Sequence, residues 1–97
     1  MAYLNKNERD ALQTELSGMR FRPALGRLRR MDPKSRLVFY RNVQGVDKWN
    51  TRYDLIGLGT RVTLTESYAH EEQLSGKIKA DYELVDVKVE ALPENKT

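Results

Sequence analysis

A chain of 97 residues with 39% hydrophobic side chains can form one domain with a modest core, and it is too apolar to be wholly disordered. The absence of cysteine excludes a disulfide framework and a cysteine-based zinc site. The net charge of +3 is unevenly spread, because residues 18–53 hold ten bases and two acids, whereas residues 54–97 hold five bases and nine acids. Such a basic middle segment can bind a polyanion, or it can pair with the acidic C-terminal half inside the fold.

The first predicted element is a helix over residues 5–18. Asn5 can cap its N-terminus, and Glu8, three positions later, completes the pattern of a capping box. Gly18 fits a C-terminal cap. One side of the helix is apolar at helical spacing, through Leu12, Leu16 and Met19. With about three turns, the helix is expected to dock on the rest of the chain in order to persist.

Residues 19–25 are predicted to be a connector, because Pro23 and Gly26 argue against a long helix despite some helical spacing of apolar residues there. From residue 26 onward, apolar and polar residues alternate with a period of two, which is typical of strands. Five strands are predicted, at residues 26–31, 36–43, 48–55, 60–68 and 77–92.

Short turns separate most of these strands. Asp32-Pro33-Lys34-Ser35 has the residue order of a β-turn, and residues 44–45 and 56–59 supply the next two turns. Short connections between successive strands favour an antiparallel meander. In the last predicted strand, the apolar residues change parity between Leu84 and Val85, which requires a bulge or a bend and fits the closing strand of a small barrel.

The predicted fold class is therefore α+β, mostly β, with an N-terminal helix packed on a five-stranded antiparallel meander curled into a small barrel-like sheet. We expect a single domain over residues 1–92 and a mobile tail at residues 93–97. The N-terminus lacks the apolar core of a signal peptide, and no apolar run is long enough to span a membrane. These features predict a cytoplasmic protein, or one enclosed in a larger particle.

The basic segment gives two possible surfaces. If residues 32–35 join two strands, the arginines at positions 27, 29 and 36 share a face with Tyr40, opposite the apolar side of the hairpin. If Arg41 then opposes Trp49, the aromatic residues of strand 48–55 join the core, and the outer face gains Lys48, Asn50 and Arg52. If Tyr40 opposes Trp49 instead, every side chain of that strand changes face. The first register buries more apolar area and is favoured.

These patterns predict a small non-enzymatic protein that uses a basic strand face to bind nucleic acid, single-stranded and with little sequence preference. The predicted contact residues are Arg27, Arg29, Arg36, Tyr40, Arg41, Lys48 and Arg52. Arginine favours bidentate contacts with phosphate, and phosphate contacts carry no sequence information. The alternative is a protein-interaction or assembly subunit that recognises an acidic protein surface or associates with itself.

Enzyme and metal motifs are weak throughout the chain. His70 is the only histidine, and it lies beside Glu71 and Glu72 without an HExxH pattern or a second histidine, so no metal site is predicted. Residues 57–60 lack the rest of a phosphate-binding loop and fit a tight turn before a strand. The acids of the C-terminal half alternate with apolar residues, which is typical of a solvated strand face. We therefore predict no catalytic site and no cofactor.

Overall fold

The computed structural model describes residues 3–40, 48–67 and 83–97, which form two helices and a four-stranded antiparallel sheet. In chain order the elements are α1 (Lys6–Ser17), α2 (Phe21–Met31), β1 (Arg36–Tyr40), β2 (Lys48–Leu55), β3 (Thr60–Ser67) and β4 (Leu84–Ala91), with a short 3-10 helix (Ile56–Leu58) between β2 and β3. The strand order β1-β2-β3-β4 is the predicted meander. In the described part of the chain there are four strands rather than five, and β1 and β4 do not pair, so closure into a barrel is not confirmed.

Helix α1 begins and ends with the predicted caps. The Asn5 side chain accepts a hydrogen bond from the Glu8 backbone at 2.9 Å, and the Glu8 side chain accepts one from the Asn5 backbone at 3.0 Å. The helix lies against β4, where the Gln13 side-chain oxygen accepts a hydrogen bond from the Val89 N–H at 3.0 Å. β4 is the last strand of the described sheet, and this bond gives one of its backbone donors an acceptor.

The predicted connector at 19–25 is wrong from residue 21 onward, and the predicted first strand at 26–31 is wrong, because residues 21–31 form α2. Pro23 lies in the first turn of the helix, where its missing N–H costs no hydrogen bond. Ala24 and Leu28, four residues apart, are both fully buried. Their burial favours the helical period over the period-two alternation that the same residues also display.

The predicted turn at residues 32–35 is present, but it joins a helix to a strand. The Ser35 N–H donates to the Asp32 carbonyl at 3.1 Å, and the Lys34 N–H donates to the Asp32 side chain at 2.9 Å. Arg27 and Arg29 therefore do not lie in a strand that pairs with β1. The predicted basic strand face, which needed such a hairpin, is wrong.

The pairing of β1 with β2 follows the favoured register, with Tyr40 opposite Asn50 and Leu37 opposite Tyr53. Its continuation is the predicted pair of Arg41 with Trp49, although Arg41 lies outside the described residues. Tyr53 is buried, with an exposed fraction of 3%. The side chain of Trp49 is not described, so its burial stays a prediction.

Strand β4 contains the predicted irregularity. Thr65 pairs with Asp86 and Glu66 pairs with Leu84, which leaves Val85 as the extra residue on β4. Val85 is 52% exposed, whereas Val87, two residues later, is buried. The change of apolar parity is therefore confirmed as a bulge.

Both helices contribute to the core on one face of the sheet. The buried residues of the main core cluster come from the helices and the strands β2, β3 and β4, and they are Leu12, Leu16, Ala24, Leu28, Tyr53, Leu55, Val62, Leu64 and Val87. No helix in the described part is long and apolar enough to cross a membrane.

The C-terminal residues, expected to be a mobile tail, make specific contacts. The Asn95 side chain is buried and donates hydrogen bonds to the Leu4 and Gly59 carbonyls, each at 3.0 Å. Arg9 donates to the Thr97 carbonyl at 3.0 Å. These long-range hydrogen bonds hold residues 95–97 against the start of α1 and the β2–β3 connection. The sequence pattern does not reveal them.

Candidate anion-binding surfaces

The structure separates the predicted site residues into two groups. Arg27 and Arg29 lie on α2, whereas Arg36 and Arg52 lie on β1 and β2, on the sheet face opposite the helix-covered core. The prediction that they share one strand face is wrong, because residues 26–31 are helical. Two candidate surfaces result, one on α2 and one on the sheet.

Three other predicted residues cannot be placed in a site. Tyr40 and Lys48 pair through their backbones with Asn50 and Ser67, but their side chains are not described. Arg41 lies outside the described residues. Their predicted contacts with nucleic acid stay predictions.

Arg27 is engaged within the fold. Its Nε donates to the Glu15 carboxylate at 2.9 Å, which links α2 to α1. This hydrogen bond and the attraction between the two charges lower the pKa of Glu15 and raise the pKa of Arg27. Arg27 therefore mainly links the two helices, and its charge is partly neutralised by Glu15 before any ligand binds.

The exposed side of α2 carries the other arginines of this helix. Arg22, Gly26, Arg29 and Arg30 follow the i, i+4, i+7 and i+8 spacing of one helix side, and the three arginines are exposed. We call Arg22, Arg29 and Arg30 the helix arginine stripe. The Arg30 side chain passes close to Gly26, where a Cβ would lie 3.4 Å from its Nη1.

The stripe is positively charged along its whole length. Helix α2 contains four arginines and no acid. Within the described residues, neither Arg29 nor Arg30 forms an ion pair with a carboxylate. The exposed Lys34 follows in the next turn, so the positive charge continues toward Arg36 at the start of β1.

The second surface is centred on Asp54 in β2. Strand register places Arg36, Asp54, Arg61 and Glu90 side by side across the four strands. One Asp54 oxygen accepts from Nε of Arg61 at 3.1 Å and lies 3.4 Å from Nε of Arg52, and the other lies 3.5 Å from an η nitrogen of Arg36. We call these four residues, Asp54 with Arg36, Arg52 and Arg61, the Asp54 cluster.

The charges of the Asp54 cluster do not balance. The Asp54 side chain is 2% exposed, whereas those of Arg36, Arg52 and Arg61 are 63%, 33% and 36% exposed. One buried carboxylate thus faces three guanidinium groups. Nε of Arg52 is buried and has no hydrogen-bond partner among the described residues.

Sequence analysis placed Arg36 and Arg52 on this face but missed Arg61. The signal for Arg61 was the polar alternation of Arg61, Thr63 and Thr65 along β3, which puts all three on the same face once the register is known. Asp54 continues the alternation of Asn50 and Arg52 along β2, but its burial depends on side chains that neighbouring strands also supply.

The described residues contain no group of three or more histidine, cysteine, aspartate or glutamate side chains that could hold a metal ion. His70, Glu71 and Glu72 lie outside them. Comparison of the chain with protein-family models, curated proteins and solved structures gave no match.

Proposed function

We propose that the protein is a non-enzymatic nucleic-acid binder that contacts the phosphate backbone through the helix arginine stripe. The observation that carries the proposal is the pair Arg29 and Arg30, exposed in the last turn of α2 and without an ion-pair partner among the described residues. Arg22 extends the same helix side, and Lys34 extends the charge beyond the helix end.

A purely structural role for these arginines would be to offset the helix dipole. The C-terminal end of a helix carries roughly half a negative charge. It can therefore offset only a part of the two full positive charges at Arg29 and Arg30. The remaining charge favours an anionic ligand, and the planar guanidinium group suits bidentate contacts with phosphate oxygens.

Contacts with phosphate position a nucleic acid without reading its bases, so the proposal includes little sequence preference. The proposed ligand is single-stranded, and a duplex of the same sequence serves as its comparison. An acidic protein partner, or self-association, is the competing role for the same charges.

The test is fluorescence anisotropy with a labelled single-stranded oligonucleotide over a range of salt concentrations. Binding should weaken with salt, with a log–log slope of about −0.7 for each phosphate contact. The double variant Arg29→Gln/Arg30→Gln should bind more weakly and reduce the magnitude of the slope by about 1 to 2. A second oligonucleotide of different sequence should show the same losses.

The matched control is Lys6→Gln/Lys96→Gln, which removes two exposed positive charges outside α2. It should keep most of the affinity. No binding of any oligonucleotide at low salt would overturn the proposal, as would equal losses in the two double variants. A protein partner that survives nuclease treatment, or a stable oligomer in solution, would then support the competing role.

A further inference from the structure

We propose that the Asp54 cluster is a binding site for a dianionic phosphate group, of the kind carried by phosphate monoesters and orthophosphate. This site is on the sheet face opposite the described helices, separate from the helix arginine stripe, and it does not depend on the proposed nucleic-acid function.

The cluster has an excess of two positive charges. Asp54 supplies one negative charge to the three guanidinium groups of Arg36, Arg52 and Arg61. The nearest strand, β4, places Glu90 beside Arg61 and Lys88 beside Thr63 on this face, with Asp86 further along. Glu90 forms no ion pair with Arg61 within the described residues. The excess charge at Arg36, Arg52 and Arg61 is therefore left without a direct partner there.

Most N–H donors of the three arginines also form no hydrogen bond with a described residue. Each arginine has five N–H groups in a planar fork. Arg61 donates through Nε and Arg36 through one η nitrogen, whereas Arg52 makes no hydrogen bond to Asp54 despite the short distance of 3.4 Å. No other described group accepts from these three residues. Several N–H groups on neighbouring strands are thus available to one ligand.

The Asp54 carboxylate holds the three guanidinium groups close together. A single arginine would be enough to neutralise a buried carboxylate, and bringing two more beside it costs mutual repulsion. The carboxylate attracts all three groups from three different strands to one point of the sheet. Because the strands hold their positions, a ligand meets guanidinium groups that are already gathered, which lowers the ordering cost of binding.

The chemistry that matches two excess positive charges is a phosphate monoester. Such a group carries roughly −1.5 to −2 charges at neutral pH and has three strong acceptor oxygens. A phosphodiester carries one charge and offers fewer free oxygens. The cluster should therefore prefer a monoester to a diester, whereas the helix arginine stripe has no such preference.

The test is isothermal titration calorimetry of the purified chain at low ionic strength with methyl phosphate and, as its matched probe, dimethyl phosphate. Methyl phosphate should bind, and dimethyl phosphate should bind about tenfold more weakly or not at all. Arg36→Gln should weaken methyl phosphate binding by about tenfold, since it removes a charged hydrogen-bond donor. Its side chain is 63% exposed, so the substitution leaves Asp54 with two arginine partners and the fold intact.

Lys6→Gln/Lys96→Gln, which removes two exposed positive charges outside both surfaces, is the control, and it should bind methyl phosphate as the wild type does. A chain that binds neither probe, or an Arg36→Gln variant with unchanged affinity, would overturn this site without affecting the oligonucleotide result. The source of the phosphate is distinguished with 5′-phosphorylated and 5′-hydroxyl strands of one sequence. If the 5′-phosphorylated strand binds more tightly than the 5′-hydroxyl strand, the ligand of the Asp54 cluster is the phosphate at a nucleic-acid end. If the two strands bind equally and methyl phosphate still binds, the ligand is a small phosphorylated molecule.

Discussion

Asp32 shows how one side chain can join two distant parts of the chain. It is buried, and its carboxylate accepts hydrogen bonds from the Lys34 N–H at 2.9 Å and from the Gly57 N–H at 2.7 Å. The first bond shapes the turn between α2 and β1, and the second holds the 3-10 connection between β2 and β3. A Cβ on Gly57 would lie 2.8 Å from an Asp32 oxygen, so this close approach needs glycine.

We predict that Asp32→Ala lowers the free energy of unfolding by about 1 to 3 kcal/mol, because two backbone donors lose their acceptor. Urea denaturation followed by circular dichroism measures the change. The neighbouring Lys34→Ala, which removes an exposed side chain and keeps the turn backbone, should change the value by less than about 0.5 kcal/mol. Equal effects of the two substitutions would contradict this role of Asp32.

The two helices are joined by a charged contact as well as by the core. Glu15 of α1 and Arg27 of α2 lie 2.9 Å apart, and their side chains are 42% and 37% exposed. The hydrogen bond from Arg27 lowers the pKa of Glu15. Because the folded pKa is below the unfolded one, this contact stabilises the fold above the unfolded pKa, and the contribution disappears as the pH falls through the folded pKa.

We predict a small pH-dependent difference in stability between the wild type and Glu15→Gln. The wild type should be the more stable protein at about pH 6, and the difference should shrink as the pH falls below the ordinary glutamate pKa of about 4.3 and through the lower pKa of folded Glu15. Urea denaturation at a series of pH values measures it. Glu94→Gln, an exposed acid for which no ion pair is found among the described residues, should show no such trend. A difference that persists at low pH would contradict the electrostatic contribution.

At the scale of the whole molecule, the sheet has two unlike faces, and both ends of the described chain meet beside it. The helices and the apolar core occupy one face, and the other presents the Asp54 cluster. The Leu4 carbonyl accepts from Arg9, Asn95 and Thr97, which brings the two ends together. The last residues therefore complete the fold near the β2–β3 connection.

We predict that Asn95→Ala lowers the free energy of unfolding by about 1 to 2 kcal/mol, because its side chain donates two hydrogen bonds from a buried position. The cost is limited, since the Gly59 carbonyl still accepts from the Leu92 N–H and the Leu4 carbonyl from Arg9. Urea denaturation measures the change, and Lys96→Ala, an exposed neighbour, is the control. Hydrogen exchange at the Thr97 N–H, which donates to the Asn95 side chain, should become faster in Asn95→Ala. An unchanged stability and exchange rate would support the mobile tail instead.

Local chemistry in the sequence was enough to predict α1, the turn at 32–35 and a bulge or bend near Leu84 and Val85, and to favour the observed β1–β2 register over the alternative. Each of these depends on residues close together in the chain, or on an alternation that has one solution with the apolar residues inside. Tertiary structure decided the segment 21–31, whose apolar residues fit both a strand and a helix until Ala24 and Leu28 are buried. It also decided which arginines lie together, because the Asp54 cluster is assembled from three strands whose side chains meet only when the sheet has formed.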